Sequence, residues 1–405
     1  MKKFIFYFLA LNTLLLFSNC KVAKVWQVAK IYKKPSSIVV QKSFFRAEIP
    51  FTLQYGAIII PVKIENETYD FVFDTNSDCS ISPDLASKLN LQNTKKIELK
   101  HSKDLKYKDK ALYFNSVPNI NIGAIDFTSN VVLLKDGNWN KVYSTSGVIG
   151  ANLMRNAIWQ IDYKRKKIIL TNFKDSLASA DTKYIGFRPY LGGRPSFNTY
   201  FSPYLRVRTK ISTAYYTDFS IHESIRNRFL PPTVKYVKSY RTQNMGGTDT
   251  LRHAAAPYLR FDGGWILKDN PVTFEPRIRA VMGYHFLKNY IVTLNWQDKK
   301  IGFQPIQKPV KKIECGYGFY YAYRDDKVVV VSVFENSSAS AVNLQLGEQL
   351  LSIDGKDVSN ITEEEFKKMV KIRNNEEETR TEVNITVKQK DGVKTFVLKK
   401  TDIDL

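Results

Sequence analysis

The chain has 405 residues, 43% of them hydrophobic and 25% charged, and carries 61 Lys and Arg against 39 Asp and Glu for a net charge of +22. This length suits two or three domains rather than one, and the composition is that of a chain that buries real cores, which excludes a disordered or fibrous protein. The basic residues are spread without a run of five or six, so an anionic surface suits the charge better than nucleic acid, and no nucleic-acid partner is expected. Neither the cysteines nor the four histidines (His101, His222, His253, His285) keep ligand spacing, so no metal and no cofactor is expected.

The chain opens on Lys2 and Lys3, an apolar stretch from Phe4 to Phe17 and then Ser18-Asn19-Cys20. A basic start followed by a short apolar run reads as an export signal over residues 1–19, not a membrane span. A cysteine directly after it resembles a bacterial lipoprotein lipobox, with Asn19 departing from the usual small residue. That resemblance implies acylation of Cys20 and a cell-envelope location, lipid-anchored and facing the periplasm, with a tether over residues 20–48. Cys79 and Cys315 then stand alone, far apart in sequence.

Short alternating apolar runs outnumber long helical patterns, so the chain reads as mainly β. One run, FVFDTNSDCS from Phe71 to Ser80, passes from three apolar residues straight into Asp74 and Thr75. An Asx turn ending a buried strand would explain it, and so would a functional carboxylate. Farther on, GVIGANLMRNAIWQIDYKRKKIIL from Gly147 aligns without a gap on AVMGYHFLKNYIVTLNWQDKKIGF from Ala280. Upstream, the hairpin patterns at Pro118 and Pro257 match, as do DCSISPDLASKLNL from Asp78 and DFSIHESIRNRFLP from Asp218. In the first copy Ser82 is a good N-cap and Pro83 sits at the first helical position. The chain therefore contains an internal duplication, with one β-rich lobe over 49–180 and a second over 186–307.

Two such lobes, each with a loop after a buried strand and a glycine-started helix near its end, resemble the retropepsin-like and pepsin-like aspartic peptidases. The resemblance covers roughly residues 50 to 305 and implies a cleft with one carboxylate from each lobe sharing a proton to activate water for peptide hydrolysis. Asp74 stands at the first catalytic position, Thr75 braces its loop, and Asn76 replaces the family's glycine where a positive φ is expected. In the second lobe two alignments compete: Asp218 takes the second catalytic position, or Ala214 does and the chain keeps one acid. A second molecule supplying a carboxylate is a further route.

From Gly316 the pattern changes, and GYGFYYAYRDDKVVVVSVFENSSASAVNLQLGEQLLSIDGKDV resembles a PDZ domain, here over 311–401. The resemblance implies that Gly316, Tyr317, Gly318 and Phe319 form a loop binding a peptide's terminal carboxylate. Asp354-Gly355 is a hairpin signal and Thr362 with Glu365 a capping box, opening a helix on which Phe366, Met369 and Val370 share a face. The fold class that follows is mainly β, a bilobed aspartic-peptidase-like β-barrel pair followed by an α+β PDZ domain.

Three functions remain in play. The first is an exported, membrane-tethered aspartic endopeptidase acting on peptide or protein substrates, whose PDZ module presents substrate or partner tails. The second is a catalytically degenerate peptide-binding scaffold. The third is a carbohydrate- or envelope-binding protein using the aromatic segment Tyr190 to Tyr216, which lacks supporting acid pairs.

Overall fold

Runs of β-branched and aromatic residues fold as the alternation demands. Ala57–Ile64 and Glu67–Asp74 form an antiparallel hairpin in register from Ile58 opposite Phe73 to Ile64 opposite Glu67. The computed structural model describes residues 30–31, 37–39, 44–91, 93–99, 110–134, 143–177, 179–229, 234–242, 247–278, 280–307, 312–376 and 380–404. The stretch read as an export signal, residues 1–19, and Cys20 lie outside the described residues. Among those residues no helix is long and apolar enough to cross a membrane.

Each half of residues 44–307 carries the same device. In the first, Gly147–Gly150 runs parallel to Phe71–Asp74, with Gly150 opposite Asp74. In the second, Val281 and Met282 run parallel to Lys210 and Ile211. Gly150 and Gly283 then start the short helices Ala151–Met154 and Tyr284–Leu287. A Cβ on Gly150 would lie 2.4 Å from the Asp78 carbonyl carbon, and one on Gly283 would lie 2.4 Å from the Thr217 and Tyr215 oxygens. Only glycine lets the backbone approach so closely. Asn156 and Asn289 tie off the two helix ends, donating to the carbonyls of Leu153 at 2.7 Å and His285 at 2.8 Å.

A six-stranded sheet joins the halves, taking Arg46–Pro50, Ile158–Asp162 and Lys167–Thr171 from the first and Lys183–Gly186, Tyr290–Asn295 and Lys300–Pro305 from the second. At its centre Gln160 pairs with Thr293 and donates to its hydroxyl at 3.0 Å. These residues are 133 apart, the separation of Gly150 and Gly283, so each is the other's counterpart and the pair lies on an approximate two-fold axis. One core cluster runs through both halves from Ile49 to Phe303. Trp159 is fully buried within it, 5.2 Å from the Phe73 ring and 6.0 Å from the Phe127 ring, and its indole N–H donates to the Met154 carbonyl at 2.7 Å.

The C-terminal module has a separate core, Tyr317 to Leu398. Asp354 and Gly355 both take positive φ, as a tight two-residue hairpin requires. Thr362 accepts from the Glu365 N–H at 3.3 Å while Glu365 accepts from the Thr362 N–H at 2.9 Å, closing the capping box of helix Glu363–Glu376. Its Phe366, Met369 and Val370 are buried in the module core. The module docks edge to edge on the second half: Ser239–Arg241 pairs antiparallel with Ser332–Phe334. Lys371 on the helix meets Asp70 of the first half at 2.8 Å.

Candidate functional site

The loops after Asp74 and Ser212 meet back to back. Thr75 donates its hydroxyl to the Ile211 carbonyl at 2.8 Å, and Thr213 donates its hydroxyl to the Phe73 carbonyl at 2.6 Å. The Thr75 N–H donates to the Thr213 hydroxyl at 3.3 Å. Both threonines are fully buried, so each loop satisfies the other's orphan backbone groups. The two exchanged bonds span 136 and 140 residues, centred on a separation of 138, which sets Thr75 against Thr213 and Asp74 against Ser212.

Asp74 is partly exposed and receives three donors: the Asn76 N–H at 3.0 Å, the Ser77 hydroxyl at 2.5 Å and the Ser212 hydroxyl at 2.8 Å. The Ala214 N–H points to the Ser212 hydroxyl at 3.4 Å, as the Asn76 N–H points to Asp74. Sequence spacing set Ala214 or Asp218 opposite Asp74, and the geometry places Ser212 there instead. The spacing misled because the matching segments at Asp78 and Asp218 are 140 residues apart, two more than the loops. Tyr216 and Thr217 are the extra pair, since Ala151 N–H donates to Ser77 and Tyr284 N–H to Tyr215 at equivalent points. The signal available in the sequence was Phe73-Asp74-Thr75 beside Ile211-Ser212-Thr213. Asn76 does not take the positive φ expected of it, because the turn closes through its N–H and the Ser77 N–H, both bonded to Asp74.

Asp218 sits elsewhere. It lines a cavity of about 370 Å³ between the second half and the C-terminal module, which Asp74 does not line. Burial first and the neighbouring Glu314 second push its carboxyl up to about 8, against the pull of Lys288. Glu314 itself is held down to about 2: burial would raise it, and contacts from His285, 3.4 Å away, and from Lys288 outweigh that. Of the aromatic segment, Tyr215 and Tyr216 face this cavity, whereas Tyr200 is engaged by Asp262 and by Arg260 over its ring. Cys79 and Cys315 are buried free thiols, each pushed up to about 12 by burial.

The strand Phe319–Arg324 of the module pairs with Lys327–Phe334 on one side only, and among the described residues nothing pairs with its other edge. Helix Glu363–Glu376 flanks that edge, with Phe366 beside Tyr321 at 6.1 Å and Tyr323 at 5.9 Å between ring centres. The loop before the strand is fixed by glycines at positive φ, Gly316 and Gly318. A Cβ on Gly318 would lie 2.1 Å from the Ser337 hydroxyl. Tyr317 and Phe319 bury their side chains in the module core, so what they offer a ligand is backbone. An unpaired edge beside a helix can take an extended peptide as an added strand.

A PDZ domain model matches residues 294–388, less than a quarter of the chain. The match begins within the joining sheet, at Leu294 in strand Tyr290–Asn295, and runs through the groove helix. No curated protein matches the chain. The chain is thus mainly β with a PDZ domain near its C-terminus, and PDZ domains bind peptide C-terminal tails.

Proposed function

We propose that this protein captures the C-terminal tails of peptides or proteins in its PDZ groove, and that residues 44–307 form a degenerate aspartic-peptidase-like platform that holds the groove without cutting. The observation that carries the reading is the unpaired edge of Phe319–Arg324 between a glycine-fixed loop and helix Glu363–Glu376. Against cleavage stands Ser212: a shared-proton mechanism needs two carboxylates, and a serine hydroxyl faces Asp74 at 2.8 Å. The reading predicts that fluorescent peptides ending in an apolar residue bind the soluble chain and lose about tenfold or more in affinity on amidation of the terminal carboxylate. Equal affinity for acid and amide would refute tail capture.

A second reading, peptide hydrolysis, is favoured by the retained Asp74-Thr75 loop. Its test is cleavage across acidic to neutral pH beside Asp74→Asn, with Ser212→Asp restoring a paired carboxylate. Cleavage by the native chain that disappears in Asp74→Asn would establish the peptidase reading and send the search for a second carboxylate to a partner molecule.

Export and tethering through Cys20 belong to the same proposal. A net charge of +22 suits a chain held near anionic headgroups. Radiolabelled palmitate incorporated into the native chain but not into Cys20→Ala would support it, and no incorporation would refute it.

A further inference from the structure

The cavity lined by Asp218 extends along the unpaired edge of the groove strand, and its two walls differ. Side chains alternate along Phe319–Arg324. Tyr321 and Tyr323 turn toward Phe366 on the PDZ helix. Tyr320 turns the other way, its ring 5.5 Å from Tyr216 of the second half and 6.0 Å from Phe334. A strand added to this edge inherits the alternation. A terminal residue seated at the glycine loop beside Phe319, which shares the Tyr321 face at 5.9 Å between rings, turns its side chain toward the PDZ helix, as does every second one upstream, and the intervening ones face the second half.

That second wall supplies chemistry an isolated PDZ domain lacks. Tyr216, Asp218 and Arg241 all line it. Arg241 is engaged by Glu275 at 3.1 Å, and Glu314 by Lys288. Burial holds His285 below its ordinary pKa and therefore neutral near pH 7. Asp218 differs: its backbone carbonyl accepts from the Gly283 N–H at 2.7 Å, and among the described residues no side chain is bonded to its carboxyl.

We infer, building on the tail-capture reading, that the groove reads both faces of a bound tail and that Asp218 selects a basic side chain on the face turned away from the PDZ helix. A Lys or Arg there sets its cation against the Asp218 carboxylate while its stem lies along the Tyr216 and Tyr320 rings. Burial and the neighbouring Glu314 hold the Asp218 carboxyl above the usual carboxylate range, and a cation placed against it favours release of its proton. The ligand class is a tail with an apolar terminal residue and a basic residue at the second or fourth position from its end.

The test uses the full soluble chain and peptides with a free carboxylate and an apolar last residue, carrying Lys, norleucine or Glu at the second or the fourth position from the end. Affinities are read by fluorescence polarisation. Expected is a preference of about tenfold for Lys over norleucine at one of these positions, with Glu weakest. In Asp218→Asn that preference collapses while the norleucine peptide keeps its affinity, and Asp218→Glu retains a preference for Lys. Carboxylate-dependent binding with equal affinity for Lys and norleucine, or a preference that survives Asp218→Asn, sinks the Asp218 inference and leaves tail capture standing. Binding indifferent to amidation, or none by any peptide, sinks both. Equal affinity for Lys and norleucine on the native chain overturns the inference even where a variant folds poorly, and Asp218→Glu serves as the second variant where Asp218→Asn does not fold.

Discussion

The two loops at the centre of the molecule share a frame and differ in content. Asp74-Thr75-Asn76 and Ser212-Thr213-Ala214 exchange the same threonine-to-carbonyl hydrogen bonds, close on equivalent backbone N–H contacts and precede the same glycine-started helix. Only one presents a carboxylate. The threonines answer to stability, because a fully buried carbonyl without a donor costs free energy whatever the chain does. The carboxylate is itself tied into the frame, taking the Ser212 hydroxyl of the other loop at 2.8 Å beside the Asn76 N–H and the Ser77 hydroxyl of its own.

The comparison breaks most sharply at the threonines. Replacing both by valine leaves the Phe73 and Ile211 carbonyls unsatisfied and should cost about 4 kcal/mol in chemical denaturation, with the double mutant short of the sum of the singles because the hydrogen bonds are shared. A loss below about 1 kcal/mol would mean that the loops do not depend on each other. Next comes the buried Glu275, whose oxygens are held by Arg241 at 3.1 Å and by the Tyr215 hydroxyl at 2.6 Å. Arg241→Met strands that carboxylate and should destabilise by about 3 kcal/mol, the low end for a broken pair because Arg241 is partly exposed. Adding Glu275→Gln should recover most of the loss.

Asp218 sharpens the contrast with Asp74, since one is a cavity acid and the other a braced loop acid. Its folded pKa of about 8 lies above the value for an unfolded chain, so its contribution is fully present below the unfolded value of 3.8 and is lost as pH rises through 8. Asp218→Asn should therefore match the native chain in acid and exceed it by about 2 kcal/mol near pH 8, a figure discounted for partial exposure. Melting temperatures compared across that range check the sign, and a variant less stable at pH 8 would contradict it. The smallest effect belongs to Ser212→Ala, which removes one hydrogen bond to a partly exposed carboxylate and should cost about 1 kcal/mol.

Much of this architecture is legible locally. Ser82 caps helix Pro83–Lys88 and accepts from the Leu85 N–H at 3.2 Å, as its place before a proline implied. The Thr362 capping box, the Asp354-Gly355 turn and the glycines at 150 and 283 each fill the role their spacing suggested. What resisted reading was the second loop. The helix patterns at Asp78 and Asp218 are strong and the loop pattern is three residues long, so alignment followed the helices and carried the two extra residues, Tyr216 and Thr217, to the wrong side of the site.

The sequence by itself determined the duplication, the β-rich halves, the caps and turns, and the module that ends the chain, because each rests on interactions spanning a few residues or on a repeated period. The tertiary structure decided that Ser212 faces Asp74, that Asp218 opens into a different cavity, and that the PDZ groove has a second wall. Those facts depend on contacts between residues as far apart as 138 positions, and on one sheet edge docking against another. Hydrogen bonds and burial choose such partners only once the chain has folded, and no periodicity along the chain records them.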